Sequence, residues 1–262
     1  MVLPPTEPHP SLVPFAPAAL RSLVVFGSPV VLAYVPGRKA RQDPVSRRPA
    51  FRRSPADRIV AEESFWRDGD LALTPNRHPF AAEQRILWPL RPIREPDAAM
   101  WTAACAWADA ANGTALVNTI GAASTIARAH AHLLPERLAF LAALPEKSVA
   151  IDAIDRPAGA EFVAKDAPFF LVGVRGSAAA RGSALAQLAA ARLTAAWNVV
   201  VQDGTAWVFP RRIETPAPHF PFALGAAEVW GRWCYVDEAP FASATANDLE
   251  QALVAAGTEP LG

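Results

Sequence analysis

Cysteine is scarce in this chain of 262 residues: there are two. Cys105 and Cys234 lie far apart and neither has a CxxC partner. That spacing disfavours a structural zinc site and a disulfide framework, so both read as buried thiols in a reducing compartment. Net charge is also missing, because 25 Lys and Arg balance 25 Asp and Glu. No global field therefore draws the chain to nucleic acid. No apolar run reaches membrane length, and no charged, apolar and cleavable leader opens the sequence. A cytoplasmic protein without membrane contact is expected. What is present is a globular profile, 52% hydrophobic and 19% charged, long enough for one large domain or two small ones. The excess of alanine, arginine and proline reads as GC-rich coding without functional meaning.

Residues 1–20 are proline-rich and expected to be peripheral. The β-branched stretch 22–36, interrupted by Gly-Ser-Pro, predicts a hairpin. Residues 37–58 carry eight Lys and Arg against two Asp with no apolar periodicity, which predicts a loop. It reads as a solvated linker, as a basic flap reaching toward phosphates, or as a nucleic-acid arm, the last weakened by the lack of interleaved aromatics. Residues 70–76 and 84–90 predict strands around the loop RHPFAAE. Residues 96–112 predict a helix ended by Asn112-Gly113, and 114–120 and 128–134 predict strands. A composition shift at 144–161 suggests a junction. Beyond it come a strand (161–176), a helix over 183–196 capped by Ser183, and a hairpin turning at Asp203-Gly204. A further strand, VWGRWCYVDE, precedes a final capped helix ending on Gly257. Each half runs strands, helix, strand, strand, which points to duplication of an α+β unit.

The stretch NTIGAASTIARAHAHLLPER (118–137) holds two of the five histidines, His130 and His132. In a strand, residues two apart share a face, so Arg128, His130 and His132 form one polar row while Ala129 and Ala131 face the core. Upstream, Gly121, Ala122 and Ala123 predict a turn whose amides converge on an anion, with Ser124 and Thr125 adding hydroxyls. Imidazole beside phosphate-binding donors suits nucleophilic attack on phosphorus, a second polar group serving the leaving oxygen, and an arginine the spread charge. No metal is needed for that scheme. The alternatives are two histidines of no special role, or a chelating pair whose third ligand must come from distant His78, His219, cysteine or carboxylates.

This stretch resembles the histidine-triad signature. It is similar in particular to the branch holding galactose-1-phosphate uridylyltransferase, diadenosine tetraphosphate phosphorylase (ATP adenylyltransferase) and the GDP-hexose phosphorylases. LALTPNRHPFAAEQRILWPL resembles that branch's NxFPxxPEHxLL segment. AAWNVVVQDGTAWVFPRR resembles its YNxLxxxxWxxxxPR hairpin, and ALGAAEVWGRWCYV loosely matches the strand that follows. The likeness spans most of residues 70–255. It implies an α+β fold of two related antiparallel-sheet-plus-helix halves, divided here as 1–20, 21–150 (carrying the histidine motif) and 151–262.

Counted from Gly121, the triad falls on Arg128, His130 and His132, so its first histidine is an arginine. The other register makes His132 central and puts Leu134, which cannot donate a proton, third. The histidine of PEHxLL is Gln84, and the zinc ligands of some uridylyltransferases are absent. The resemblance implies that His130 attacks the α-phosphate to form a nucleotidyl-histidine and that His132 contacts the bridging oxygen. It further implies that Asn118 positions phosphate or ribose, that Ser124 and the amides at Gly121 and Ala122 bind phosphate, and that Asn76 contacts the nucleotide. Arg128 has no counterpart to lend it a role. The implied partners are a dinucleotide polyphosphate or nucleotide sugar, with phosphate or a sugar phosphate as acceptor. No cofactor or metal is required, and the state is monomer or homodimer. A hydrolase using water and a nucleotide-binding module without turnover are the alternatives.

Three other features carry weaker signals. RGSAAARGS (175–183) lacks the lysine of a phosphate-binding loop and reads as loop plus helix cap. Trp88, Trp207 and Trp230 sit in strand-like runs and read as core. FPRR places Arg211 at a strand end, as a surface residue or a substrate-phosphate contact.

Overall fold

A computed structural model describes residues 3–41, 55–151, 154–192 and 194–259. Of the basic stretch, residues 42–54 lie outside the described residues, and Pro36–Arg41 forms a 3-10 helix. The elements are β1 (Ala19–Val25), β2 (Ser28–Tyr34), α1 (Ala56–Glu63), β3 (Trp66–Asp68), β4 (Leu71–Pro75), β5 (Arg85–Pro89), α2 (Ala98–Ala110), β6 (Thr114–Asn118) and β7 (Ala131–Leu134). There follow α3 (Phe140–Ala143), β8 (Glu146–Ser148), β9 (Glu161–Lys165), β10 (Val172–Arg175), α4 (Ala178–Ala191), β11 (Trp197–Gln202) and β12 (Thr205–Pro210). The chain closes with α5 (Ala226–Trp230), β13 (Arg232–Tyr235), α6 (Glu238–Ser243) and α7 (Ala246–Ala256).

Ten strands form one antiparallel sheet in the order β3-β4-β5-β7-β6-β11-β12-β10-β9-β8. Three strands, a helix and a two-strand return (β3, β4, β5, α2, β6, β7) recur as β8, β9, β10, α4, β11, β12. Read from either edge, the sheet order is the same. The fold is thus α+β with two related halves, and they meet where β6 pairs with β11, Asn118 opposite Asn198. The second half's first strand, β8, precedes the expected boundary at residue 151.

One sheet face is covered by α2 and α4. Ala103, Ala104, Ala108, Ala180 and Ala184 are buried beneath and between them. Small side chains let the two helices approach closely. A Cβ on Gly182 would lie 2.3 Å from Thr102 Oγ1 and 2.8 Å from its backbone nitrogen. Alanine therefore has a packing purpose here, contrary to the compositional reading. The helix also starts earlier than expected. Ser177, not Ser183, caps it by accepting from the Ala180 amide at 3.2 Å.

The other face carries a second core under β1, β2 and β13, which form a separate sheet with β13 parallel to β2. The stretch expected as one strand, VWGRWCYVDE, divides at Gly231 (φ +110) into α5 and β13. The final helix runs as expected, with a Thr245–Asp248 capping box and Gly257 at its end. The N-terminal segment is pinned to the body: Pro5 O accepts from the buried Arg85 at 2.8 Å and from Trp107 Nε1 at 3.1 Å, and His9 stacks on Phe65. Trp88, Trp207 and Trp230 are core residues, as expected. Among the described residues, no helix is long and apolar enough to cross a membrane.

Candidate active site

β7 starts at Ala131, three residues later than expected. His132 is paired between Leu116 on β6 and Ile86 on β5, while Ala131 and Leu133 belong to the core beneath α2 and α4. Alternation therefore turns His132 to the face away from those helices. His130 precedes the strand but stays beside it, the two rings 5.2 Å apart and nearly perpendicular at 80°. The His130 ring also stacks on Trp88 at 4.9 Å, and Trp88 is itself fixed by its Nε1–H donating to Thr74 Oγ1.

His130 Nδ1 lies 2.8 Å from the carbonyl oxygen of Arg128. A carbonyl only accepts, so Nδ1 carries the proton, and in the neutral ring Nε2 holds the lone pair. That is the protonation a nucleophilic imidazole needs. His132 Nδ1 lies 2.9 Å from Gln84 Nε2, and the carbonyl of the same Gln84 side chain accepts the Phe80 amide at 2.9 Å.

Arg128 is not part of this face. With no strand at 128, alternation does not apply, and the buried guanidinium turns to the end of β5. It donates to Pro89 O at 2.5 Å and Leu90 O at 2.8 Å, and pairs with Asp57 of α1. Burial lowers its pKa, with Asp57 opposing that shift. The expected Arg-His-His row is a His-His pair, and the arginine is a structural clamp.

The turn after β6 forms, with Gly121 at φ +87 and Ala123 at φ +68. Three of its amides are engaged within the chain. Those of Ala122 and Ser124 both donate to Thr119 O, at 2.9 and 3.3 Å. The Ala123 amide donates to the Glu214 carboxylate at 2.9 Å. Ser124 Oγ donates to Ile126 O at 2.8 Å and is buried, so its hydroxyl braces the turn. The group that sits on the turn is a carboxylate of this chain, and it uses the Ala123 amide rather than those of Gly121 or Ala122.

Asn118 Oδ1 accepts from Asn198 Nδ2 at 2.8 Å and from the Ala226 amide at 2.7 Å. Asn198 donates also to Ala122 O and accepts from Arg211 at 2.6 Å. Arg211 is buried, not at the surface. Its two terminal nitrogens donate to Asn198, Leu224 O, Ile213 O and Glu214 O. Burial lowers its pKa to about 10, so it stays cationic at neutral pH and clamps the 213–224 loop. The phosphate-contact role expected of it is not what those nitrogens do. Asn76 likewise turns inward: its Oδ1 accepts the His78 amide at 3.0 Å and its own amide donates to Gln84 O, shaping the β4–β5 loop. Two residues of this cluster, Asn198 and Glu214, were not among those expected. Asn198 had a signal, being the asparagine matched to the YNxLxxxxWxxxxPR pattern. Glu214 had none, because its contact spans 91 residues of sequence.

Both cysteines are buried, as expected, and burial pushes Cys105 up to about 12 and Cys234 up to about 11. Among the described residues, no group of three or more His, Cys, Asp or Glu is placed to hold a metal ion.

No family model and no curated protein matches the chain. Solved structures do. Yeast Ap4A phosphorylase Apa2 in complex with Ap4A superposes with a TM-score of 0.67 at 17% identity, covering 96% of this chain and 93% of that one. The same yeast protein in complex with AMP gives 0.64 at 15% identity, covering 93% and 89%. An ADP-glucose phosphorylase from Arabidopsis thaliana with bound ADP-glucose gives 0.43 at 12% identity, covering 90% and 97%. On its topology and its likeness to the yeast structures, the chain has the α+β fold seen in yeast Ap4A phosphorylase.

Proposed function

We propose that the chain is a nucleotidyltransferase or phosphorylase that works through a covalent nucleotidyl-histidine at His130. The observation that carries the reading is the His130–His132 pair on one sheet face, in the fold of a phosphorylase whose structure holds Ap4A. Nε2 of His130 attacks the α-phosphorus of a dinucleotide polyphosphate or nucleotide sugar. A phosphorus–nitrogen bond forms as the bond to the bridging oxygen breaks, and the phosphate departs as an anion with His132 hydrogen-bonded to that oxygen. Phosphate or a sugar phosphate then attacks the adduct, and His130 leaves with its ring restored. Asn118, Gly121, Ala122 and Ser124 hold the turn at which the phosphates bind. Binding there displaces the Glu214 carboxylate from the Ala123 amide. No metal or cofactor enters the scheme, and the acting unit is a monomer or homodimer.

The test is product analysis with Ap4A and with ADP-glucose, with and without inorganic phosphate. Phosphate-dependent formation of a nucleoside diphosphate, lost in His130→Asn, supports the reading. Full turnover in His130→Asn overturns it. His132 in the third triad position favours a second reading, a hydrolase, for which turnover is independent of phosphate.

A further inference from the structure

The two imidazoles sit in opposite hydrogen-bonding surroundings. At His130 the group facing Nδ1 is a backbone carbonyl, which accepts only. At His132 the group facing Nδ1 is the Gln84 side chain. An amide side chain offers either a donor or an acceptor, so its orientation decides what His132 meets. Gln84 is not free to turn. It is fully buried, and the Phe80 amide needs an acceptor, which the Gln84 carbonyl supplies at 2.9 Å. The NH2 end is thereby directed at His132.

We infer that Gln84 is a positioning residue: oriented by the Phe80 amide, it donates to Nδ1 of His132 and fixes that ring as the Nε2–H tautomer, a hydrogen-bond donor beside the His130 ring. The inference rests on the proposed nucleotidyl transfer for its chemical meaning. Its test does not, because a tautomer is read in the resting protein.

The support around Gln84 is continuous. Phe80 packs edge-on against the His132 ring at 5.5 Å. Its carbonyl accepts from Arg232 at 3.2 Å, and Arg232 pairs with Glu136. The guanidinium of Arg38 lies over the Phe80 ring at 5.2 Å. Loop, ring and amide are therefore held by three separate elements. A histidine at position 84, as in the resembled pattern, has two nitrogens that exchange roles with tautomer. A glutamine held by its carbonyl has one orientation. In the transfer step, Nε2–H of His132 donates a hydrogen bond to the bridging oxygen as the bond from that oxygen to phosphorus breaks, and the phosphate departs as an anion while the neutral ring keeps its proton. Nδ1 of His132 keeps its bond from Gln84 throughout.

The experiment is long-range proton–nitrogen correlation NMR on protein labelled with 15N-histidine, the two rings assigned by their loss in His130→Asn and His132→Asn. The expected result is an Nδ1–H pattern for His130 and an Nε2–H pattern for His132. An Nδ1–H pattern for His132 overturns the inference. The variant Gln84→Glu keeps an acceptor for the Phe80 amide but has no N–H for His132, so His132 Nδ1 is expected to become protonated. An unchanged Nε2–H pattern in that variant also overturns the inference.

Kinetics give a second readout. With Ap4A, Gln84→Glu is expected to lower kcat by about 10²-fold, the range for losing one hydrogen-bond donor to developing charge, with KM changed by less than about threefold. An unchanged kcat, or a loss confined to KM, counts against a positioning role. No turnover with any nucleotide, alongside the stated tautomers, counts against the proposed function while supporting the role of Gln84.

Discussion

At the scale of single residues, the site depends on what each side chain's neighbours leave available. Arg128 illustrates the point. It donates to two backbone carbonyls at the end of β5, and its carboxylate partner Asp57 has a side chain 77% exposed. Losing the ion pair therefore costs little, while losing donors to two carbonyls costs about 2–3 kcal/mol. Arg128→Met is expected to lower the unfolding free energy by that amount in urea titrations and to leave adduct formation at His130 in place.

Glu214 is the reverse case. Its carboxylate accepts from the Ala123 amide of the turn, so Glu214→Gln removes a competing charge. Tighter binding of AMP, by about 3- to 10-fold in calorimetry, is expected, in line with a charge-assisted hydrogen bond forfeited by the side chain. Unchanged affinity would place the phosphates elsewhere.

Glu228 carries the pH dependence. It is a buried residue of α5 and accepts from the Gly225 amide at the start of that helix at 2.8 Å. Burial pushes its carboxyl from the ordinary 4.5 up to about 7. A carboxyl raised in the folded state contributes stability that is complete below pH 4.5 and is lost as pH rises through about 7. The wild type is thus expected to lose Tm relative to Glu228→Gln between pH 5 and pH 7.5, as read by thermal melts. A parallel course of the two curves would refute the assignment.

At the scale of elements, close approach of α2 and α4 explains the glycine within α4. Alanine at 182 gains at most about 1 kcal/mol of helix propensity. The new Cβ, however, meets the backbone nitrogen of Thr102 at 2.8 Å, which no side-chain rotation relieves. Overpacking of that kind costs about 1–3 kcal/mol, so Gly182→Ala is expected to lower Tm despite the better propensity. This scale is also where the sequence was most and least legible. Alternation and turn chemistry located β4, β5, β6, the β11–β12 hairpin and α7, because those signals are local. They misplaced the start of β7, since nothing local marks where pairing with β5 begins. They chose Ser183 over Ser177 because both serines follow an Arg-Gly pair, and only the docking of α4 on α2 decides between them.

At the scale of the whole molecule, the pairing of β6 with β11 joins two copies of one α+β plan into a continuous sheet. The duplication was legible as an order of elements. The join was not, because strand neighbours across a long separation leave no periodic trace. Yet the join organises the candidate site. Asn118 ends the first half's strand, Asn198 opens the second's, and their contact ties the turn at Gly121 to Arg211 and the 213–224 loop. The histidine pair was legible from spacing alone. Its partners Gln84, Asn198 and Glu214 come from remote segments, so their roles emerge only in the fold.

The central claim is a covalent nucleotidyl-histidine. It is tested most directly by adding an α-32P-labelled dinucleotide polyphosphate, quenching in denaturant at alkaline pH, and mapping the label by peptide mass spectrometry. The account expects one acid-labile, base-stable adduct on His130, present in Arg128→Met and absent in His130→Asn. An adduct on His132, or turnover with no adduct at either histidine, would contradict it.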